Sequence, residues 1–108
     1  MLLQGFKGDL FKALGHPARI RMLELLRGGE KSVTELQLAL EMEASSVSQQ
    51  LAVLRARQLV GKRKVGTSVY YRVIDPQVFD LLDIARAMFE HHLANLQAIS
   101  DEEPILTN

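Results

Sequence analysis

The chain has 108 residues, 47% of them hydrophobic, and no cysteine. That is enough for one domain with a core and too little for two, and it excludes disulfides, thiolate metal sites and thiol redox sensing. The formal net charge is zero, no apolar run reaches the length of a membrane span, and the stretch from Met1 to Gly8 lacks the basic and long apolar regions of a secretory signal, so a cytoplasmic location with no membrane partner is expected.

Phe6, Leu10, Phe11 and Leu14 are spaced three or four apart, as on one face of a helix. Gly15-His16-Pro17 interrupts that helix, and His16 belongs to the turn. Pro17 suits the first turn of a second helix, whose apolar side carries Ile20, Leu23 and Leu26 and which stops at Gly28-Gly29. Ser32-Val33-Thr34-Glu35 is a capping box, in which hydroxyl and carboxylate each satisfy the other residue's N–H, so a short helix from Val33 to Leu40 follows. After the tight connection Glu41-Met42-Glu43, a fourth helix runs from Ala44 to Gln58 on the apolar stripe Val47, Leu51 and Leu54. Two helices joined this closely make a helix-turn-helix.

From Val60 the period changes. Val69, Tyr71 and Val73 alternate with Ser68, Tyr70 and Arg72, as in a half-buried strand. Gly66-Thr67 turns the chain between this strand and Val60–Val65, giving a β-hairpin that carries Lys62-Arg63-Lys64. Asp75-Pro76 then caps and opens a last helix. Its stripe Val78, Leu81, Leu82, Ala85, Met88, Phe89, Leu96 and Ile99 is too long for a small domain to cover by itself. The acidic tail 101–108, with Pro104, is expected to fray. The predicted fold is mainly α with a small β-hairpin, a single winged helix-turn-helix domain over 1–108 in the order α-α-α-α-β-β-α. A homodimer is expected through the first and last helices, with Phe6, Leu10, Leu14, Leu81, Ala85, Met88 and Phe89 at the interface.

The zero net charge conceals a segregation. Residues 44–74 carry Arg55, Arg57, Lys62, Arg63, Lys64 and Arg72 and no acid, whereas residues 75–108 carry seven acids against the single base Arg86. A local positive field of this kind holds a polyanion. A helix entering the major groove needs small polar side chains on its outer face. Ser45, Ser48, Gln49 and Ala52 fall on the side of the fourth helix opposite its apolar stripe. Arg55 and Arg57 lie further along, where phosphates are the natural target, and the hairpin's basic residues would follow the flanking duplex. The expected DNA-contacting set is Ser45, Ser46, Ser48, Gln49, Arg55, Lys62, Arg63 and Lys64, with double-stranded operator DNA as partner. RNA is disfavoured, because an A-form major groove excludes a reading helix.

Three segments resemble the ArsR/SmtB winged-helix repressors: Phe11-Lys12-Ala13-Leu14-Gly15-His16-Pro17-Ala18-Arg19-Ile20-Arg21-Met22-Leu23, the recognition-helix run from Ser45 to Arg55, and Gly66-Thr67-Ser68-Val69-Tyr70-Tyr71 at the wing. The likeness runs in order over about residues 6–100. It implies a homodimer on an imperfect palindrome at a promoter, released when an inducer arrives. The chain departs from that pattern at Gln49 or Gln50, where many relatives have His, and at Thr67, where Arg or Lys is frequent.

The resemblance also implies two places for a metal. One uses cysteines on the third helix, and the run Glu35-Leu36-Gln37-Leu38-Ala39-Leu40 has none. The other pairs the two last helices and maps to Asp75, Gln77, Met88 and His91, of which Asp75 and His91 keep the ligand type. The candidate metal residues are Asp75, His91 and His92, for nickel, cobalt or zinc, with weak or rearranged binding implied by the half-kept set. The other reading has the histidines solvated on the last helix, where imidazolium is favoured, with an organic effector or none.

Two other classes fit less of the sequence. No Gly-rich phosphate loop, nucleophile elbow or His-Glu metal motif supports an enzyme. A protein-interaction module would not require the acid-free stretch from Ala44 to Ile74; a winged-helix regulator that acts without an effector is the other alternative.

Overall fold

A computed structural model describes residues 2–106, with side chains from 2 to 100. The elements are α1 (Leu2–Leu14), α2 (Pro17–Leu26), β1 (Lys31–Ser32), α3 (Val33–Leu40), α4 (Ala44–Ala56), β2 (Val60–Val65), β3 (Ser68–Val73) and α5 (Gln77–Leu106). The expected order gains one element, β1. It pairs antiparallel with β3, Lys31 opposite Tyr71 and Ser32 opposite Tyr70, so the wing is a three-stranded sheet in the order β1-β3-β2. A strand of two residues has no periodicity to read; it is defined by its pairing with β3 and ends where Ser32 caps the next helix.

Local chemistry sets the boundaries. The His16 Nδ1 accepts the Ala18 N–H at 3.1 Å, capping α2 just ahead of Pro17. The Ser32 hydroxyl accepts the Glu35 N–H at 3.1 Å, and the Glu35 carboxylate accepts the Ser32 N–H at 3.0 Å, so the capping box at α3 is complete. Those bonds hold the Glu35 carboxyl below its ordinary pKa. The stabilisation is therefore present at neutral pH and lost as pH falls through the lowered value. At α5, Asp75 Oδ1 accepts the Gln77 N–H at 3.0 Å.

α4 ends at Ala56, two residues short of the expected Gln58, in a Schellman turn. The Gln58 N–H donates to the Arg55 carbonyl at 2.9 Å and the Leu59 N–H to the Leu54 carbonyl at 3.0 Å. That geometry holds Gln58 at φ 59°, a left-handed conformation that favours glycine. Gln58→Gly should therefore raise stability by about 0.5–1 kcal/mol. The midpoint of urea unfolding checks it; a lower midpoint would mean that the Gln58 side chain contributes more than its backbone costs.

The core lies where α2, α3 and α4 meet the sheet. Met22, Leu23, Leu36, Val47, Leu51, Leu54 and Val60 are fully buried, with Leu26, Leu59, Tyr71 and Val78 closing the edges. The C-terminal end of α1 joins them through Ala13 and Leu14. Leu14 is only 8% exposed and packs into its own chain's core, so its expected place in a dimer interface is corrected. Leu10 and Leu81 are half-buried against the same core. Ala85, Met88 and Phe89 are exposed, as are Leu2, Leu3, Phe6 and Phe11 on α1 and Ile84, Leu93, Leu96 and Ile99 further along α5. The molecule measures 68 × 39 × 21 Å because α5, 30 residues long, projects beyond the core. Its backbone is helical to Leu106; the frayed tail expected over 101–108 falls on residues whose side chains, and for 107–108 the whole residue, lie outside the described part.

Candidate nucleic-acid interface

α4 is fixed from beneath by Val47, Leu51 and Leu54, all 0% exposed, which turns Ser45, Ser48, Gln49 and Ala52 outward to solvent. Ser46 lies half-buried on the flank. The Glu43 side chain does not cap α4, so the first-turn N–H groups keep no side-chain partner there, and the small side chains of Ala44, Ser45 and Ser48 leave this end open to a phosphate. Arg55 is exposed on the last turn, with no ion pair among the described residues.

The hairpin separates the three basic residues that the sequence runs together. In the β2–β3 register Lys62 stands opposite Tyr71, Arg63 opposite Tyr70 and Lys64 opposite Val69. Successive residues of a strand point to opposite faces, so Lys62 and Lys64 share one face and Arg63 takes the other. Both lysines are exposed and unpaired among the described residues. Arg63 instead grips Glu30 through two hydrogen bonds, Nε to Oε2 at 2.8 Å and Nη2 to Oε1 at 2.6 Å, with its guanidinium 5.5 Å from the Tyr70 ring centre. Beside Arg63 the Glu30 carboxyl is held below its ordinary range, so the pair stays ionised at neutral pH. Arg63 thus ties the wing to the turn before β1, and Lys62 and Lys64 are the wing's unpaired charges among the described residues. Arg57 is likewise taken up, by Asp9 at 3.1 Å.

Arg19, which the sequence reading did not single out, meets Gln50 beside this face. Arg19 of α2 donates from Nη1 to the side-chain oxygen of Gln50 on α4 at 2.8 Å. Its acceptor lies 31 residues away and could not be read from spacing.

The candidate metal residues do not gather. Asp75 caps α5, His91 and His92 are exposed four turns further along the same helix, and no three metal-ligating side chains cluster among the described residues. An open cleft of about 710 Å³ lies between α1, the end of α4 and the start of α5, with Phe6, Leu10, Leu59, Val78 and Leu81 as its apolar walls.

Comparison with known proteins accords with this arrangement. The profile of the arsR family of bacterial regulatory proteins matches residues 16–62, which span α2 through the first half of β2. The uncharacterized HTH-type transcriptional regulator Rv0081 of Mycobacterium tuberculosis is 39% identical over 101 residues, covering 93% of this chain and 89% of that protein. Its crystal structure superposes with a TM-score of 0.78 at 40% identity, over 86% of this chain and 94% of that one. The HTH-type transcriptional regulator NmtR of the same organism is 43% identical over 94 residues, 86% of this chain and 75% of that protein. The homodimeric winged helix-turn-helix DNA-binding domain Mb0332 of Mycobacterium bovis, solved by NMR, superposes with a TM-score of 0.76 at 30% identity, over 85% of each chain. With α3 and α4 as the helix-turn-helix and β2–β3 as the wing, the chain belongs to the ArsR family of DNA-binding, winged-helix transcriptional regulators.

Proposed function

We propose that the protein is a homodimeric repressor that pairs through α1 and α5, places the two α4 helices in successive major grooves of an imperfectly palindromic operator, and is released by a small effector. The observation that carries this reading is the solvent face made by Ser45, Ser48 and Gln49 on α4 with Arg55, Lys62 and Lys64 around it, all exposed and free of acidic partners. A two-fold axis relating two such faces about one duplex turn, ~34 Å, apart matches the half-site spacing of helix-turn-helix dimers. Exposed apolar side chains on both α1 and α5 supply the pairing surface.

The division of labour on this face can be tested directly. Ser48→Ala and Gln49→Ala should each cost roughly 1–3 kcal/mol in discrimination between a selected operator and random duplex. Lys62→Ala should weaken both duplexes alike and flatten the salt slope by about one unit. Arg63→Ala should change the slope less than Lys62→Ala does, because Glu30 already neutralises Arg63. Fluorescence anisotropy over a salt series checks all four. Equal losses on both duplexes for every variant would overturn the assignment of base reading to α4 and phosphate contact to the wing.

The donor set does not fit a four-ligand transition-metal site. Asp75 and His91 lie more than 20 Å apart along one chain by helical rise, roughly 1.5 Å per residue, so they could meet only across a pair of α5 helices, and Gln77 and Met88 are poor ligands in the remaining places. On the helix, His92 rather than His91 falls among Met88, Phe89, Leu96 and Ile99. Calorimetry with nickel, cobalt and zinc is expected to give weak binding that His91→Ala and His92→Ala together abolish; tight binding that survives the double variant would contradict this. An effector that reshapes the cleft between α1, the end of α4 and α5 would act on the pairing helices and the reading helix together, which favours a small organic molecule over a metal ion.

A further inference from the structure

Gln50 follows Gln49 on α4 and sits half-buried where the outer face meets the protein body, one turn beyond Ser46 on the same flank. Its side-chain oxygen accepts a hydrogen bond from Arg19 Nη1 at 2.8 Å. Arg19 is itself held from behind. Its Nε donates to the Ala13 carbonyl at 2.6 Å and its Nη2 to the Lys12 carbonyl at 3.1 Å, both in the last turn of α1. A helix C-terminus concentrates unpaired carbonyls and partial negative charge, which a guanidinium satisfies well. Two backbone contacts in one plane fix the fork, and the remaining N–H is aimed at α4.

This contact decides which way the Gln50 amide faces. A guanidinium has five donors and no acceptor. The end of the amide toward Arg19 must therefore be the oxygen, since the reversed amide would set N–H against N–H. The end of Gln50 turned from Arg19 is its Nε2 amide, which offers two donors and no acceptor. Gln49 is different: it is fully exposed, with no side-chain hydrogen bond among the described residues, and keeps both a donor and an acceptor. Adenine presents an acceptor and a donor side by side in the major groove, which suits Gln49. Guanine presents two adjacent acceptors, N7 and O6, while cytosine presents only a donor.

We infer that Gln50, locked by Arg19, is a donor-only reader that selects guanine and rejects cytosine at one base pair of each half-site, with Arg19 as its positioning residue. The inference rests on the reading of α4 as the helix in the major groove. It assigns different bases to two neighbouring glutamines because one is tied to the protein body and the other is not.

The experiment is selection from a random duplex library by the wild-type protein, Gln50→Glu and Arg19→Lys, with thermal melting of each. Wild type should yield a two-fold motif with guanine enriched in one column of each half-site. In Gln50→Glu the carboxylate still accepts from Arg19, so the fold is kept and the melting temperature is unchanged, but the outward end becomes an acceptor. That column should shift to cytosine, with guanine sites bound roughly ten- to a hundredfold more weakly, and the other columns should stay as they are. Arg19→Lys cannot span the three acceptors, so the amide can turn and the same column should flatten. An identical motif from Gln50→Glu and wild type, as expected if Gln50 meets a phosphate or only supports the fold, would overturn the inference. A wild-type protein that selects no motif at all would instead overturn the reading of α4 as a DNA-reading helix.

Discussion

Phe89→Asp is expected to convert the protein to a monomer at micromolar concentration and to weaken binding to a two-fold operator by about a hundredfold or more. Phe89 is 59% exposed in the single chain, and Met88, Leu93, Leu96 and Ile99 around it are 48–68% exposed. An aromatic ring buries on the order of 150–250 Å² when covered, which at roughly 25 cal/mol per Å² is several kcal/mol. A two-fold interface counts each substitution twice and sets each new carboxylate against apolar surface or against its own copy. The fold of one chain should survive, because this part of α5 lies beyond the core. Light scattering reads the association state, circular dichroism the helix content and anisotropy the operator affinity. A variant that stays dimeric and keeps its affinity would place the pairing surface elsewhere.

Leu51→Ala is expected to cost about 2–5 kcal/mol of stability, the range for emptying a leucine-sized space in a close-packed core. Leu51 is 0% exposed and sits on the inner side of α4, among Leu23, Leu36, Val47 and Leu54. For a domain of this size whose total stability is on the order of 5–15 kcal/mol, the melting temperature should fall by about 10 °C or more. DNA binding should fall with it near the transition and recover on cooling. Ser48→Ala, on the exposed flank of the same helix, should leave the melting temperature within a degree or two while losing discrimination. If Leu51→Ala melts like the wild type, α4 is not seated as described and the outward placement of Ser45, Ser48 and Gln49 is wrong with it.

The sequence made the core of this molecule readable and its long-range polar contacts unreadable. Val47, Leu51 and Leu54 announce the buried side of α4 because apolar residues three and four apart have one side in common, and all three are fully buried. The capping box at Ser32 and Glu35 was readable for the same reason, its partners being three residues apart. Leu14 shows the limit. Periodicity marks it as inward-facing on α1 but does not say whether it faces its own core or a second chain, and the close of α1 over α2 puts it in the core. Arg63 shows another. Strand alternation alone separates it from Lys62 and Lys64, yet the residue that engages it, Glu30, is 33 positions away. The pairing of Arg19 with Gln50 depends on how α1, α2 and α4 come together, and no local pattern encodes it.

Binding of the 108-residue protein to a duplex selected by it, and to a scrambled duplex of equal length and composition, over a series of salt concentrations tests most directly whether two α4–wing faces grip operator DNA. The expected result is a fall of log K with log salt whose slope, about −0.9 per phosphate contact, corresponds to several contacts per dimer. The selected duplex should be held roughly a thousandfold or more tighter than the scrambled one at physiological salt. A shallow slope, or equal affinity for the two duplexes, would contradict it.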